Sequence, residues 1–279
     1  MSRLTALLAL CLLALPARAL DTTAFAAKVK PSIVLLEVLG PSGKLVGSGT
    51  GFFISEDGLI VTNEHVIKDA FEVRAKLPDG STRAIVGHLA RNPDRDMALV
   101  KAEGGGYTPL PLGVDVKVQQ GMRVLTVGNP LGLTFSVSEG LVAEVRPDGL
   151  PEDYKHLSFK KGAVIQLTAF SAMGASGSPI LTEDGKVIAV LFAGLGMGGN
   201  LAFSVPVDEV VKLKAAIAPG ATPKPFREFP MKGLLLSGAF FGSIALMWAW
   251  SKRKEWRAAA LRRKSLEKQA EAIVRQFRP

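Results

Sequence analysis

The side chains able to do covalent chemistry gather in three short stretches. The first is Gly47-Ser48-Gly49-Thr50-Gly51-Phe52-Phe53-Ile54, followed by Gly58-Leu59-Ile60-Val61-Thr62-Asn63-Glu64-His65-Val66. The second is Asp96-Met97-Ala98-Leu99-Val100-Lys101. The third is Gly174-Ala175-Ser176-Gly177-Ser178-Pro179, preceded by Val164-Ile165-Gln166. An imidazole, a carboxylate and a hydroxyl in a glycine-rich turn are the parts an acyl-transfer site needs. A serine hydroxyl is a poor nucleophile at neutral pH; an imidazole can take its proton and return it to a leaving amine. A buried carboxylate fixes the imidazole tautomer and stabilises its charged form. Several residues compete for these roles. Asp94 lies two positions before Asp96, and Ser171 and Ser178 flank Ser176, but neither of these serines follows a Gly-x pair. His88 and His156 lack a comparable context and read as surface or structural residues.

Other chemistries are poorly served. The one cysteine, Cys11, excludes an intramolecular disulfide framework and any cysteine-based zinc or iron–sulfur site, and three histidines leave little room for a histidine-rich centre. No metal and no cofactor is expected. Gly194, Gly196 and Gly199 satisfy G-x-G-x-x-G, but a β-like run ending in Pro206 follows where a dinucleotide fold needs a helix. Ser158 with Lys161, and Ser265 with Lys268, match S-x-x-K without opening an apolar helix. Gly-x-Ser-x-Gly is broken by Ser178, and the order His, Asp, Ser argues against an α/β-hydrolase.

The elements that must position these residues are short strands. Twelve β-rich runs are legible: Ser32–Val38, Gly51–Ile54, Leu59–Thr62, Phe71–Lys76, Thr82–His88, Ala98–Ala102, Arg123–Val127, Thr134–Val145, Val164–Thr168, Pro179–Thr182, Val187–Ala193 and Ala202–Val205. Turn signals such as Glu56-Asp57-Gly58, Asp79-Gly80 and Glu183-Asp184-Gly185 separate them. One late helix, Val207–Ile217, follows. This pattern predicts an all-β sandwich or a pair of barrels over about residues 25–217. Pro219, Pro223, Pro225 and Pro230 then predict a stiff, extended linker over 218–232.

The chain of 279 residues is 48% hydrophobic, which excludes a disordered or collagen-like protein. Its net charge of +9 sits at the ends: residues 20–250 are neutral, whereas 251–279 carry ten basic side chains against three acidic ones. Membrane targeting accounts for this more simply than nucleic-acid binding, for which no recognition pattern is present. Residues 1–19 read as a signal peptide: Arg3, an apolar run Leu4–Leu15, and Ala17-Arg18-Ala19 as the cleavage site. Residues 233–250 are uncharged and as a helix would be about 27 Å long, close to a bilayer core. Trp248 and Trp250 suit one interface, and Gly238 with Gly242 could pack two such helices. Ser251-Lys252-Arg253-Lys254 follows directly. The positive-inside rule then puts the basic tail, 251–279, in the cytoplasm and residues 20–232 on the extracytoplasmic, periplasmic side of the inner membrane, the orientation a cleaved signal peptide also demands. Leu266, Ala270, Ile273 and Phe277 recur at helical spacing, which suits an amphipathic helix on anionic lipid or a solvated extension of the span.

Taken together, the three stretches, with Gly128-Asn129-Pro130-Leu131-Gly132-Leu133 and Ser138-Glu139-Gly140-Leu141-Val142, resemble the trypsin-like serine proteases of the HtrA/Deg group over about residues 30–210. The resemblance implies a two-barrel chymotrypsin/trypsin-like domain spanning 20–217. It implies His65 as general base, Asp96 as orienting acid and Ser176 as nucleophile. The backbone N–H groups of Gly174 and Ser176 would form the oxyanion hole. A specificity pocket would be lined by Phe170, Ser171 and the strand Leu191, Phe192, Ala193, Gly194. No acid lies among these, so a small or medium apolar residue is expected before the scissile bond. The chain departs from the group at Ser178, where a second glycine is usual, at Ala175, and at Leu167 after Ile165-Gln166. A PDZ domain, frequent in the group, finds no room after residue 217. The resemblance implies a serine endopeptidase acting on exposed or misfolded protein segments, with homo-oligomers frequent among relatives. An inactive protease-like module that binds peptides or a partner is the alternative, and a signalling protease with a docking tail is a third.

Overall fold

The computed structural model describes residues 20–151, 154, 162–195 and 201–226. Two closed six-stranded antiparallel barrels follow each other along the chain. The first contains β1 (Ile33–Leu39), β2 (Leu45–Phe53), β3 (Leu59–Thr62), β4 (Glu72–Lys76), β5 (Thr82–Asn92) and β6 (Met97–Ala102), in the order β1-β2-β3-β6-β5-β4. The second contains β7 (Arg123–Gly128), β8 (Ser136–Arg146), β9 (Val164–Leu167), β10 (Pro179–Leu181), β11 (Val187–Leu195) and β12 (Leu201–Pro206), in the order β10-β11-β12-β9-β8-β7. Closure pairs every strand on both sides, but β5 runs past β4, which it pairs only over Thr82–Ala84, and keeps a short open margin beyond.

Uninterrupted apolar runs such as Ile33-Val34-Leu35-Leu36 and Leu59-Ile60-Val61 have a direct cause. Side chains alternate across a strand, and here both faces are buried. Val34, Leu36, Phe53, Ile60, Ala98 and Val100 fill the first barrel. Their neighbours Ile33, Phe52, Val61, Met97 and Leu99 point the other way and meet Leu125, Val127, Val190, Phe192 and Val205 of the second barrel in a shared core. Val124, Leu167, Ile180 and Ala189 fill the second barrel. Each valine, leucine, isoleucine, methionine or phenylalanine among them contributes about 1.5–3 kcal/mol when fully buried.

Among the described residues three α-helices complete the domain where the sequence predicts one. α1 (Thr22–Val29) is capped by Asp21, whose carboxylate accepts from the Thr23 and Ala24 N–H groups, both at 3.0 Å. Its Phe25 and Val29 enter the shared core, and Lys28 Nζ donates to the Asp184 carbonyl on the β10–β11 hairpin at 2.8 Å. α2 (Glu64–Ile67) is a single turn after β3, and α3 (Val207–Ala215) follows β12. β2 begins at Leu45, earlier than the sequence predicts, because Gly47 and Gly49 disguise a regular pairing with β1.

The segment predicted as an extended linker is docked as far as Phe226. Lys224 pairs with His88: the His88 N–H donates to the Lys224 carbonyl at 2.9 Å and the Lys224 N–H to the His88 carbonyl at 2.8 Å. Pro223 and Pro225 flank Lys224 at positions whose N–H would point away from β5, so their missing donors cost this pairing nothing. Phe226 is 8% exposed and joins the interior of the first barrel. Prolines signalled a free spacer, but an extended proline-flanked strand also fits a sheet margin. Among the described residues no helix is long and apolar enough to cross a membrane. The segments 1–19, 233–250 and 251–279, and His156, lie outside the described residues.

Candidate active site

Strand β3 ends at Thr62 and delivers His65 on the one-turn helix α2. The tight turn between β5 and β6 delivers Asp96, which is 2% exposed with φ 49°, a left-handed conformation that aspartate tolerates better than most residues. Its carboxylate is used twice by one residue. Oδ2 lies 2.6 Å from His65 Nδ1, and Oδ1 accepts the His65 backbone N–H at 2.8 Å. Asn63 Nδ2 donates to the Asp96 carbonyl at 2.9 Å. With Nδ1 held by the acid, His65 keeps Nε2 for other chemistry. Asp94 is exposed on the same turn, so Asp96 and not Asp94 meets the imidazole.

Arg95 braces that turn from the other side. It is buried, donates to the Ala163 carbonyl at 2.8 Å and faces Glu209 of α3 at 3.4 Å. Burial pulls its pKa below the usual arginine value, and the Glu209 carboxylate opposes the shift.

Ser176 belongs to the second barrel, in the turn before β10. Its carbonyl accepts the Thr50 N–H of β2 at 2.8 Å, which ties the turn to the first barrel. Gly177 explains its own identity. Its φ is 88°, and a Cβ there would lie 2.1 Å from the Thr50 carbonyl oxygen and 2.7 Å from Thr62 Oγ1, so no side chain fits. The turn therefore rests on β2 and on the end of β3, three residues before His65. The Ser176 hydroxyl makes no hydrogen bond among the described residues. The N–H groups of Gly174 and Ser176 donate to nothing among them either, whereas the Ala175, Gly177 and Ser178 N–H groups are all engaged, with the carbonyls of Ala172, Leu191 and Ala175. Ser178, the departure from the usual glycine, is buried with its hydroxyl over Gly128: a Cβ on Gly128 would lie 2.1 Å from Ser178 Oγ.

A cavity of about 540 Å³ opens beside Ser176. Of the residues expected to line it, Phe170, Ser171, Ala193 and Gly194 do so. Leu191 and Phe192 do not. Strand alternation takes Leu191 into the interior of the second barrel and Phe192 into the shared core, and a bulge follows before Ala193. Leu131, Ala172 and Met173 complete the wall and were not foreseen. Leu131 adopts φ 54° in the β7–β8 loop, and Met173 directly precedes Gly174, so adjacency to the turn was the available signal. Among the described residues this wall carries no charge. His88 is far from this role, its backbone bridging to Lys224 and its ring 6.3 Å from that of Phe226.

Two closed barrels, an imidazole–carboxylate pair on the first and a serine between free N–H groups on the second are the layout of a chymotrypsin-like serine-peptidase domain. Residues 49–190 match the trypsin-like peptidase domain, and the chain belongs to that family, with HtrA/Deg proteases among its relatives. It is 36% identical over 194 residues to the mitochondrial serine protease HTRA2 of Bos taurus, a match covering 66% of this chain and 40% of that protein. A probable periplasmic serine endoprotease, DegP-like, of Pseudomonas putida is 33% identical over 168 residues, covering 58% of this chain and 33% of the relative. The chain thus spans well under half the length of these two relatives. The active form of the Rv3671c protease from M. tuberculosis superposes with a TM-score of 0.64 at 27% identity, covering 76% of this chain and 92% of that structure.

Proposed function

We propose that the chain is a membrane-anchored serine endopeptidase whose barrels lie on the extracytoplasmic side and cut exposed or misfolded protein segments. Ser176 Oγ attacks the scissile carbonyl carbon while His65 Nε2 takes its proton. The carbonyl oxygen, now negative, is held by the Gly174 and Ser176 N–H groups. Removing one such donor typically costs a factor of about 10²–10³ in rate. The imidazolium, steadied by Asp96, returns the proton to the leaving amine as the C–N bond breaks. Water, deprotonated by the same imidazole, then releases the acyl group from Ser176. An uncharged wall beside Ser176 suits an apolar side chain before the cut bond. The signal-like leader, the uncharged stretch 233–250 and the basic residues after it support the anchored, outward-facing arrangement.

The observation that carries the activity is the two-point grip of Asp96 on His65, combined with two unengaged N–H groups around Ser176. The test is labelling of the full chain by a membrane-impermeant fluorophosphonate in spheroplasts of a bacterial host, with Ser176→Ala alongside. Labelling of wild type from outside, lost in Ser176→Ala, is expected. Labelling only after lysis would refute the sidedness. No Ser176-dependent labelling in either sample would refute the peptidase reading and favour a non-catalytic binding module.

A further inference from the structure

Thr50 stands in the glycine-rich stretch of β2, and nothing in the acyl-transfer chemistry above uses its hydroxyl. The residue is wholly buried. Its hydroxyl donates to the Gly174 carbonyl at 2.8 Å. It accepts the Asn129 backbone N–H at 3.0 Å and Asn129 Nδ2 at 3.2 Å. A hydroxyl has one proton and two lone pairs, so this one is fully used. Its direction is also forced. Both groups from Asn129 are donors and cannot receive the hydroxyl proton, which leaves the Gly174 oxygen to take it.

Asn129 is itself fixed. It is wholly buried, Nδ2 also donates to the Val34 carbonyl of β1 at 3.1 Å, and Oδ1 accepts the Phe135 N–H at 3.1 Å. The same β7–β8 loop supplies the Leu131 N–H, which donates to the Met173 carbonyl at 2.6 Å. The two peptide units flanking Gly174 are therefore both held by their carbonyl oxygens, one by Leu131 and one by Thr50. In a trans peptide the N–H points opposite to the C=O. Holding Met173 O against Leu131 aims the Gly174 N–H the other way. Holding Gly174 O against Thr50 stops the glycine, at φ 90°, from rotating that N–H out of place.

We propose that the Thr50 hydroxyl, oriented by Asn129, is a positioning group that sets the oxyanion turn for catalysis. It touches neither substrate nor the reacting atoms and acts through Gly174. The inference rests on the serine-peptidase reading above.

The test uses the full chain and a quenched fluorogenic peptide spanning a casein site that wild type cuts, with active sites counted by fluorophosphonate. Thr50→Val keeps the shape and removes the hydroxyl. Expected is a 10- to 100-fold fall in kcat per titrated site with KM within about threefold, and recovery of most of that loss in Thr50→Ser. A peptide boronic acid, which needs the oxyanion donors, should lose affinity for Thr50→Val by a similar factor. Asn129→Asp is the second variant, for use if Thr50→Val does not fold: its carboxylate would draw the hydroxyl proton away from Gly174, and kcat should fall at least tenfold. Unchanged kcat in a folded Thr50→Val or Asn129→Asp, a loss carried by KM, or a Thr50→Ser as impaired as Thr50→Val would each overturn the role. Ser176→Ala separates the two levels. Wild type no more active than Ser176→Ala brings down the peptidase reading and this inference with it, whereas Ser176-dependent cleavage that ignores Thr50 brings down the inference alone.

Discussion

Ser178 occupies space that exists only because residue 128 is glycine, and this pairing can be measured. A Cβ on Gly128 would meet Ser178 Oγ at 2.1 Å and Ser178 Cβ at 3.2 Å, with Thr50 Oγ1 next at 3.3 Å. The first two contacts vanish if residue 178 is also glycine; the third asks for a shift of a few tenths of an ångström. Overpacking of a buried site costs about 1–3 kcal/mol. For a domain of this size each kcal/mol moves Tm by about 2–4 °C, so Gly128→Ala should lower Tm by about 2–12 °C. In a Ser178→Gly background the same change should cost under about 0.5 kcal/mol, a coupling of about 0.5–3 kcal/mol between the positions. Circular dichroism is the assay of choice, because the three tryptophans, Trp248, Trp250 and Trp256, all lie beyond the barrels. Equal destabilisation by Gly128→Ala in both backgrounds would refute the steric account. Ser178→Ala adds a check on the same ground. Its hydroxyl is buried with no hydrogen-bond partner among the described residues, an arrangement that costs about 1–3 kcal/mol, so its removal should raise Tm.

Asp96→Asn should leave the fold intact and lower kcat by about 10⁴-fold, the scale seen when a triad carboxylate is replaced by its amide; a loss under tenfold would deny Asp96 its orienting role. Phe226→Ala should cost about 3 kcal/mol, or about 6–12 °C in Tm, as for other buried aromatics, whereas an unchanged Tm would restore the free-linker description. Asp57 is held below the ordinary carboxylate value of 3.8, first by Lys101 Nζ at 2.6 Å and then by the Ser55 hydroxyl. Its contribution is present above pH 3.8 and lost as pH falls through its lower folded value. Asp57→Asn should therefore lower stability slightly at about pH 7, by a few tenths of a kcal/mol at most for so exposed a pair, read as a small fall in Tm, and the gap should close in stronger acid; a gap that widened in acid would reverse the assigned sign.

Much of the barrel pair was legible because its signals are local. Alternating faces buried on both sides leave continuous apolar runs, and Asp-Gly turns mark their ends. His65, Asp96 and Ser176 stood out because each sits beside a strand end in a distinctive neighbourhood. What escaped the sequence depends on contacts between distant residues. The bulge after Leu191 is invisible without β12 beside it, so the sequence does not show that the cavity begins at Ala193 and Gly194 and leaves Leu191 and Phe192 in the two cores. Leu131 and Met173 meet across 42 positions of chain through one hydrogen bond. Pro223 and Pro225 advertised a spacer, and only the exposed rim of β5 turns Lys224 into a partner for His88. α1 had a readable start at Asp21, but its alanine- and threonine-rich turns carry little amphipathic signal.

The two ends of the domain cross over. Helix α1, ahead of the first barrel, is pinned to the β10–β11 hairpin of the second, and Phe226, behind the second barrel, seals the first. A polypeptide emerging from its N-terminus would thus supply the strands of the first barrel early yet leave their core without Phe226 until residue 226 has emerged. The two barrels are therefore interdependent in assembly: neither has its full set of packed partners until both ends of the domain are in place.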